Sequence, residues 1–289
     1  MKETVIKCLK VLGFMILSEA LMLLGDIIGE LCAYPLNHAN SAALQFSGKY
    51  FTFIGIWIVV IAYCLIVKKN RKYFPILGKG GKGNNAKTIL LLGLPLGLGL
   101  NLLVALVAMA HGDIHLYFAE FNLPLILLFI VTVAVQCGAE ELVCRWFLYQ
   151  KVKDLFPKYP LVPILVSAFY FSIGHGMNPG VTVLSLVNIF LIGILYAMVI
   201  YYYDCFWACV LAHTGWNFCQ SILLGLPNSG LVSSYSMFKL DAANAMNSFT
   251  YNTGFGIEGT VMSSVVVAIS CVIVFYLGRK KKVKEKIAA

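Results

Sequence analysis

Residues 88–110 read TILLLGLPLGLGLNLLVALVAMA and contain no charged side chain. A helix needs roughly 20 apolar residues to cross a bilayer core about 30 Å thick, and this stretch is long enough. Seven other stretches also qualify, some of them marginally: 11–33, 51–67, 122–148, 161–177, 181–203, 206–226 and 260–278. The sequence therefore predicts an all-α, polytopic membrane protein with about eight transmembrane helices.

The composition of the whole chain points the same way. Of its 289 residues, 60% are hydrophobic and 12% are charged, and the mean hydropathy is +0.84. A soluble domain carries roughly 25% charged residues, so an ordinary cytosolic enzyme, a disordered chain and a nucleic-acid-binding protein are excluded. We expect membrane lipids, and no nucleic acid, among the partners.

The positions of the basic residues predict the orientation, because Lys and Arg concentrate in cytoplasmic loops. With the N-terminus in the cytoplasm, the cytoplasmic segments carry 19 of the 22 basic residues. The external segments carry only Lys49 and Lys239, and Arg145 falls within a span. We therefore expect both termini in the cytoplasm of a multi-pass protein, in the cell membrane or, in a eukaryote, the endoplasmic reticulum membrane.

The loops indicate one membrane domain over residues 1–289. Most of them are short, and two are long. Residues 68–87 are rich in Gly and Lys and are expected to form a flexible cytoplasmic loop. Residues 227–259 are polar and are expected to form an external, partly disordered loop.

Ionisable groups at membrane depth cost roughly 2.5–3.5 kcal/mol each on insertion scales, so each one suggests a function. The first predicted span carries Glu19, Asp26 and Glu30, which are expected to line a cavity or lie near the outer surface. Three further spans carry ionisable groups or an amide: Glu140, Glu141, Arg145, His175, His213 and Asn217. Spacing of four residues places Glu141 beside Arg145 and puts His213 and Asn217 on one helix face. At about 1.5 Å rise per residue, the three spans bring these groups to a similar depth. We therefore predict one polar site between helices.

Two kinds of chemistry fit this set of residues. In the first, a glutamate acts as general base, one histidine orients a water molecule that attacks an amide carbonyl, and the other histidine and the asparagine stabilise the oxyanion. In the second, Glu140, His175 and His213 bind zinc, and the zinc-bound water is the nucleophile. A purely structural ion-pair cluster is the alternative to both.

Three motifs also carry a family resemblance. They are Glu140-Glu141-x-x-x-Arg145, Phe171-x-x-x-His175 and His213-x-x-x-Asn217. In this order they resemble the pattern of the CPBP intramembrane proteases, which include the type II CAAX prenyl endopeptidases and bacteriocin-processing and bacteriocin-immunity proteins. The motif-bearing core is about residues 120–220.

The resemblance implies endopeptidase activity with an activated water, in a helical fold whose cavity opens to the cytosol and the inner leaflet. The implied roles are water activation for Glu140 and His175, oxyanion stabilisation for His213 and Asn217, and support of the site for Glu141 and Arg145. Both metal-dependent and metal-free members are described, so zinc stays open. Many members have Gly after the motif arginine. Trp146 at that position is expected to narrow the cavity mouth.

The implied substrate is a peptide or protein that reaches the site from the cytosol or the membrane. A lipidated CAAX protein is one candidate, and a bacteriocin or signal peptide is another. Two alternatives are a non-catalytic immunity or scaffold protein of the same family and an ion-coupled transporter that uses intramembrane carboxylates.

Overall fold

The computed structural model describes residues 2–288, with side chains through Val283. Its α-helices are α1 (Lys2–Asn37), α2 (Ala42–Phe51), α3 (Ile54–Ile66), α4 (Ala86–Leu94), α5 (Leu100–His111), α6 (Leu123–Glu141), α7 (Tyr149–Leu155), α8 (Leu161–Gly174), α9 (Val183–Tyr203), α10 (Phe206–Asn217) and α11 (Val261–Ala288). Strands β1 (Leu116–Phe118) and β2 (Phe238–Leu240) form one antiparallel pair. Turns of π-helix join α4 to α5 (Pro95–Gly99) and α6 to α7 (Leu142–Leu148), and a third extends α10 (Phe218–Leu223).

Six continuous helical segments of the described chain are long and apolar enough to cross a membrane: 2–37, 42–66, 86–111, 123–155, 183–203 and 261–283. This confirms the all-α, polytopic fold. The two remaining predicted spans are helical but do not meet those criteria. Helix α8 has only 14 residues, and the segment 206–223 carries the polar side chains His213, Asn217 and Gln220. Both are segments that contribute site residues.

Consecutive helical segments run in opposite directions, so the connections gather at two ends of the bundle. At one end, Lys72 pairs with Asp154 at 2.6 Å, and the Lys82 amide donates to Asp204 Oδ2 at 3.0 Å. We call this end the basic face. It comprises the start of α1, residues 67–85, 151–160 and 203–205, and the last turns of α11.

The opposite end, which we call the loop face, comprises residues 38–41, 112–122, 175–182 and 225–260. These connections pack on one another. The pairing of β1 with β2 joins two of them, and the Ser234 hydroxyl donates to the Ala42 carbonyl at 2.8 Å. The loop face therefore forms a folded layer over that end of the helices.

Both long loops are more ordered than their composition suggested. Residues Lys68–Leu77 form a 3₁₀-helix whose Tyr73 is buried. In the 227–259 loop, Tyr251 and Phe255 are fully buried. Aromatic side chains anchor each loop to the bundle, and this outweighs the polar character of the rest of the loop.

Helices α1 and α3 approach each other closely through glycines. A Cβ atom on Gly29 would overlap the Thr52 carbonyl oxygen, and one on Gly55 would overlap the Gly25 carbonyl oxygen. Helix pairs in membranes associate by close packing of small residues, since lipid offers no hydrophobic driving force between helices. This contact holds α1 against the rest of the bundle.

Replacing one of these glycines should loosen the bundle. Gly29→Val should destabilise the protein by about 1–3 kcal/mol because the added atoms overlap backbone. Gly13→Val is the matched control on the same helix, since a Cβ there meets nothing within 4 Å. Thermal unfolding in detergent compares the two, and equal midpoints would contradict the packing role of Gly29.

Asp113 anchors the loop face beside the end of α5. Its Oδ2 accepts hydrogen bonds from the hydroxyls of Ser248 and Thr250 and lies 3.0 Å from His111 Nδ1. Burial favours a higher pKa for Asp113, but the hydrogen bonds from Ser248 and Thr250, with His111 adding to them, outweigh it and lower the pKa below its ordinary value. The carboxylate thus ties residues 248–250 to α5.

This arrangement makes stability depend on pH. The folded-state pKa lies below the unfolded value, ordinarily 3.8, so the Asp113 contribution is present above that value and is lost as the pH falls through the folded-state pKa. At pH 7, Asp113→Asn should be about 1–3 kcal/mol less stable than the native protein, and the gap should shrink below about pH 4. Thermal unfolding at several pH values, with Asp241→Asn as the control, measures this. A gap that stays constant with pH would refute it.

Candidate active site

A buried ion pair lies at the centre of the site. Arg145 Nη1 donates to Glu141 Oε1 at 2.9 Å, and both side chains are fully buried. The guanidinium also lies over the Phe171 ring, 4.4 Å from its centroid, and donates to the Gly193 carbonyl at 3.4 Å. The four-residue spacing predicted this pair. It links α6 to α8 and α9.

Glu141 also fixes the orientation of His213. The Nδ1 atom of His213 lies 3.0 Å from Glu141 Oε1. An ionised carboxylate only accepts hydrogen bonds, so Nδ1 carries the proton of this contact. The other ring nitrogen, Nε2, then faces Glu140, whose Oε2 is 3.7 Å away. The structure thus joins α6 and α10 through one carboxylate.

One carboxylate oxygen of Glu140 accepts a hydrogen bond and the other does not. Its Oε1 accepts from Gln136 Nε2 at 2.5 Å, whereas the buried Oε2 has no hydrogen-bond partner within the described residues. A buried carboxylate oxygen without a partner is costly and marks a position that water or a ligand can satisfy. Glu140 Oε2 and His213 Nε2 therefore flank one point in the site.

Asn217 holds Gln136 in place. Its Nδ2 donates to Gln136 Oε1 at 3.2 Å and to Cys137 Sγ at 3.3 Å, and its Oδ1 accepts from Asn228 at 3.3 Å. Gln136 was not predicted as a site residue. The sequence could have indicated it, because Gln136 lies four residues before Glu140 and therefore on the same helix face.

Two of the π-helical turns begin directly after motif residues. One follows Glu141 and carries Arg145, and the other follows Asn217. Such turns insert an extra residue into a helix and often occur at functional sites. Here they let each helix change its facing direction immediately beyond the site.

A cavity of about 330 Å³ is lined by four of the six predicted residues, Glu140, His175, His213 and Asn217, and not by Glu141 or Arg145. Glu140, His213 and Asn217 lie in its inner part, and all three are largely buried. His175 lies nearer the opening at the end of α8, where its Nδ1 is 2.8 Å from the Phe171 carbonyl oxygen. No hydrogen bond or ion pair joins His175 to Glu140, Glu141 or His213 in the described part of the chain. The structure therefore brings five of the six predicted residues into one network and leaves His175 on the same cavity wall.

Glu258, from the 227–259 loop, supplies a further carboxylate to the cavity wall. It is buried and accepts from Trp216 Nε1 at 2.8 Å and from the Ser229 amide and hydroxyl at 2.7 and 2.9 Å. Sequence reasoning missed it, because it lies outside the predicted spans and has no motif. The contacts secure the loop over the cavity.

A metal centre fits these positions poorly. Within residues 2–288, no three His, Cys, Asp or Glu side chains are grouped closely enough to hold a metal ion. Glu140 and His213 are neighbours, but His175, the third ligand of the zinc hypothesis, does not join them. We therefore derive no step through a metal.

Trp146 does not narrow the cavity. Its side chain is fully buried, donates from Nε1 to the Tyr73 carbonyl at 2.8 Å and packs against Phe74. It holds the 3₁₀-helix of the basic face and does not line the cavity. The expected effect on the cavity mouth was wrong, because Arg145 and Trp146 are adjacent on the helix and their side chains point in different directions.

Residues 122–219 match the family model described as Type II CAAX prenyl endopeptidase Rce1-like. The matched segment contains all six predicted site residues, and it confirms the resemblance over this part of the chain. The match supports a membrane endopeptidase of the CAAX-protease type. No curated protein and no solved structure shows significant similarity to the chain.

The cavity wall, to which α1, α2 and the 227–259 loop contribute beside the matched segment, extends to the loop face. Exposed lining residues include Lys49 and Leu231, together with Glu19 halfway along α1, and no lining residue belongs to the basic face. The expectation of a cytoplasmic N-terminus and the expectation of a cavity open to the cytosol therefore place the cytosol at opposite ends of the bundle.

The Glu141–Arg145 pair gives a stability prediction. Arg145→Met should cost about 3–5 kcal/mol, because it leaves the Glu141 carboxylate buried without its cation. Glu3→Gln is the control, since it breaks another four-residue pair, Lys7–Glu3, that is exposed and is screened by solvent. Unfolding in detergent measures both, and similar losses would contradict a special role for the buried pair.

Proposed function

We propose that the protein is an intramembrane endopeptidase that hydrolyses peptide bonds with a water molecule activated by Glu140. The observation that carries this proposal is the free Glu140 Oε2, buried in a cavity and 3.7 Å from His213 Nε2. The Rce1-like match at residues 122–219 supports the reaction class. A structural ion-pair cluster could place Glu140 Oε2 near His213 Nε2, but it gives no reason for the two atoms to line a cavity.

In the proposed reaction, Glu140 accepts a proton from a water molecule while the water oxygen attacks the amide carbonyl carbon. Glu140 then gives that proton to the leaving nitrogen, and the C–N bond breaks. A carboxylate that shuttles one proton in this way ends in its starting state. Gln136 holds Oε1 and keeps Oε2 directed into the cavity.

The two histidines would act at different points. His213, with Nδ1 held by Glu141, would donate from protonated Nε2 to the oxyanion that forms on the carbonyl oxygen. His175, near the opening, would orient the water or the substrate. Asn217 would act on the oxyanion only after releasing Gln136 and Cys137, so we assign it a positioning role in the resting site.

The cavity lining indicates the substrate class. It combines apolar side chains such as Met22, Phe46, Ile189 and Ile192 with the polar site. An apolar peptide segment, such as a signal-peptide-like or bacteriocin-like sequence or a lipidated C-terminus, is the substrate that fits. The protein would act as a multi-pass protein of the cell membrane.

One observation favours a second candidate, a non-catalytic binding protein of the immunity or scaffold type. His175 makes no hydrogen bond or ion pair with Glu140 among the described residues, so the network of Glu140, Glu141 and His213 does not include it. Such a protein would bind the same apolar segment in the cavity without cleaving it.

Mapping of peptide N-termini in membrane fractions separates these functions. Cells with Glu140→Ala should lose the cleavage products of the native protein, because general acid–base catalysis contributes about 10²–10⁴-fold. Glu120→Ala, which removes an exposed carboxylate of the loop face, should keep them. Identical maps for native protein and Glu140→Ala would refute the protease and favour the binding protein. A chelator that abolishes cleavage by purified protein would instead show metal dependence.

A further inference from the structure

We infer that the cavity faces the extracytoplasmic side of the membrane and receives substrate segments that have already crossed it. The orientation follows from charge and from the position of the cavity mouth. The part that concerns substrates rests on the proposed endopeptidase activity.

The basic face carries nearly all of the positive charge. Of the 22 Lys and Arg residues, 19 belong to the N-terminal end, residues 68–87, residues 151–158 and the C-terminal end, and these segments meet at one end of the bundle. Only Lys49 and Lys239 belong to the opposite end. Short loops rich in Lys and Arg remain in the cytoplasm during insertion, and an anionic inner leaflet adds about 1 kcal/mol per nearby basic residue. The basic face is therefore cytoplasmic.

The cavity lies toward the other end. The 227–259 loop contributes Asn228, Ser229, Leu231 and Glu258 to its wall. The wall also includes Asn178, from the connection between α8 and α9. None of the segments of the basic face contributes.

The rim of the cavity is open to solvent and lipid. Lys49 and Gly174 are exposed, and Leu231 is 50% exposed. They belong to α2, the end of α8 and the loop face, so an extended chain can enter between these elements. Toward the basic face, the helical segment 123–155 continues from Glu140 with the buried side chains of Arg145, Trp146 and Tyr149, none of which lines the cavity.

This geometry selects among the proposed substrates. A secreted peptide, a bacteriocin or the external end of a membrane-anchored segment reaches the cavity directly. A CAAX sequence in the cytosol meets the basic face, to which no lining residue of this cavity belongs. We therefore assign the site to exported peptides and proteins.

Thiol labelling of intact cells tests the orientation without any substrate. Val232→Cys places a thiol beside the cavity rim at a position that is 61% exposed, and Lys79→Cys is the matched variant on the exposed surface of the basic face. Both are made after changing the exposed Cys8 and Cys32 to Ser. A membrane-impermeant maleimide should label Val232→Cys at least tenfold more than Lys79→Cys, and equal labelling after cell lysis is the control. The reverse ratio in intact cells would overturn the inference.

Two reporter proteins test from which side of the membrane the substrate reaches the site. One reporter exports a cleavage sequence found by N-terminus mapping, and the other keeps the same sequence in the cytosol. The exported reporter should be cut in cells with the native protein and remain intact with Glu140→Ala. Glu140-dependent cutting of the cytosolic reporter alone would overturn the assignment. Absence of Glu140-dependent cutting in both would refute the proposed protease, while the labelling result would still decide the orientation.

Discussion

The Glu141 carboxylate is the interaction on which the site depends. It accepts from Arg145 and from His213, so one buried anion joins two helices and sets the direction of the histidine ring. The negative charge of Glu141 is matched by Arg145, which is itself enclosed by Phe171 and Tyr196. The second carboxylate, Glu140, takes no part in these two contacts and lines the cavity.

Helical spacing explains what could be predicted from the sequence. The pairs 141/145 and 213/217 lie within single helices, where a period of 3.6 residues fixes the neighbours. Glu258 could not be predicted, because a loop placed it and its partners Trp216 and Ser229 lie 42 and 29 residues away. The six long helices followed from hydropathy, but hydropathy alone did not distinguish α8, with its 14 residues, from a full span. Long-range contacts and the positions of helix ends thus account for most of the differences between the predictions from the sequence and the structure.

The cavity wall is built from two different parts of the chain, and this bears on substrate specificity. The matched segment 122–219 supplies the reactive side chains, whereas α1, α2 and the 227–259 loop supply Glu19, Phe46, Lys49 and Leu231. Chemistry and recognition are thus encoded in different parts of the chain. Relatives that keep the three motifs can differ in substrate through the elements outside them.

The short length of α8 has a consequence for the surrounding lipid. Its 14 residues extend about 21 Å at the usual helical rise, and Leu161, Leu165, Phe169 and Ile173 form an exposed stripe along it. A bilayer core about 30 Å thick exceeds this stripe, and local thinning of the bilayer is one way in which a short apolar helix is accommodated. Such thinning would bring lipid headgroups and water to the level of Gly174 and His175. Acyl-chain length would therefore tune access to the site, with thicker membranes opposing the entry of a peptide.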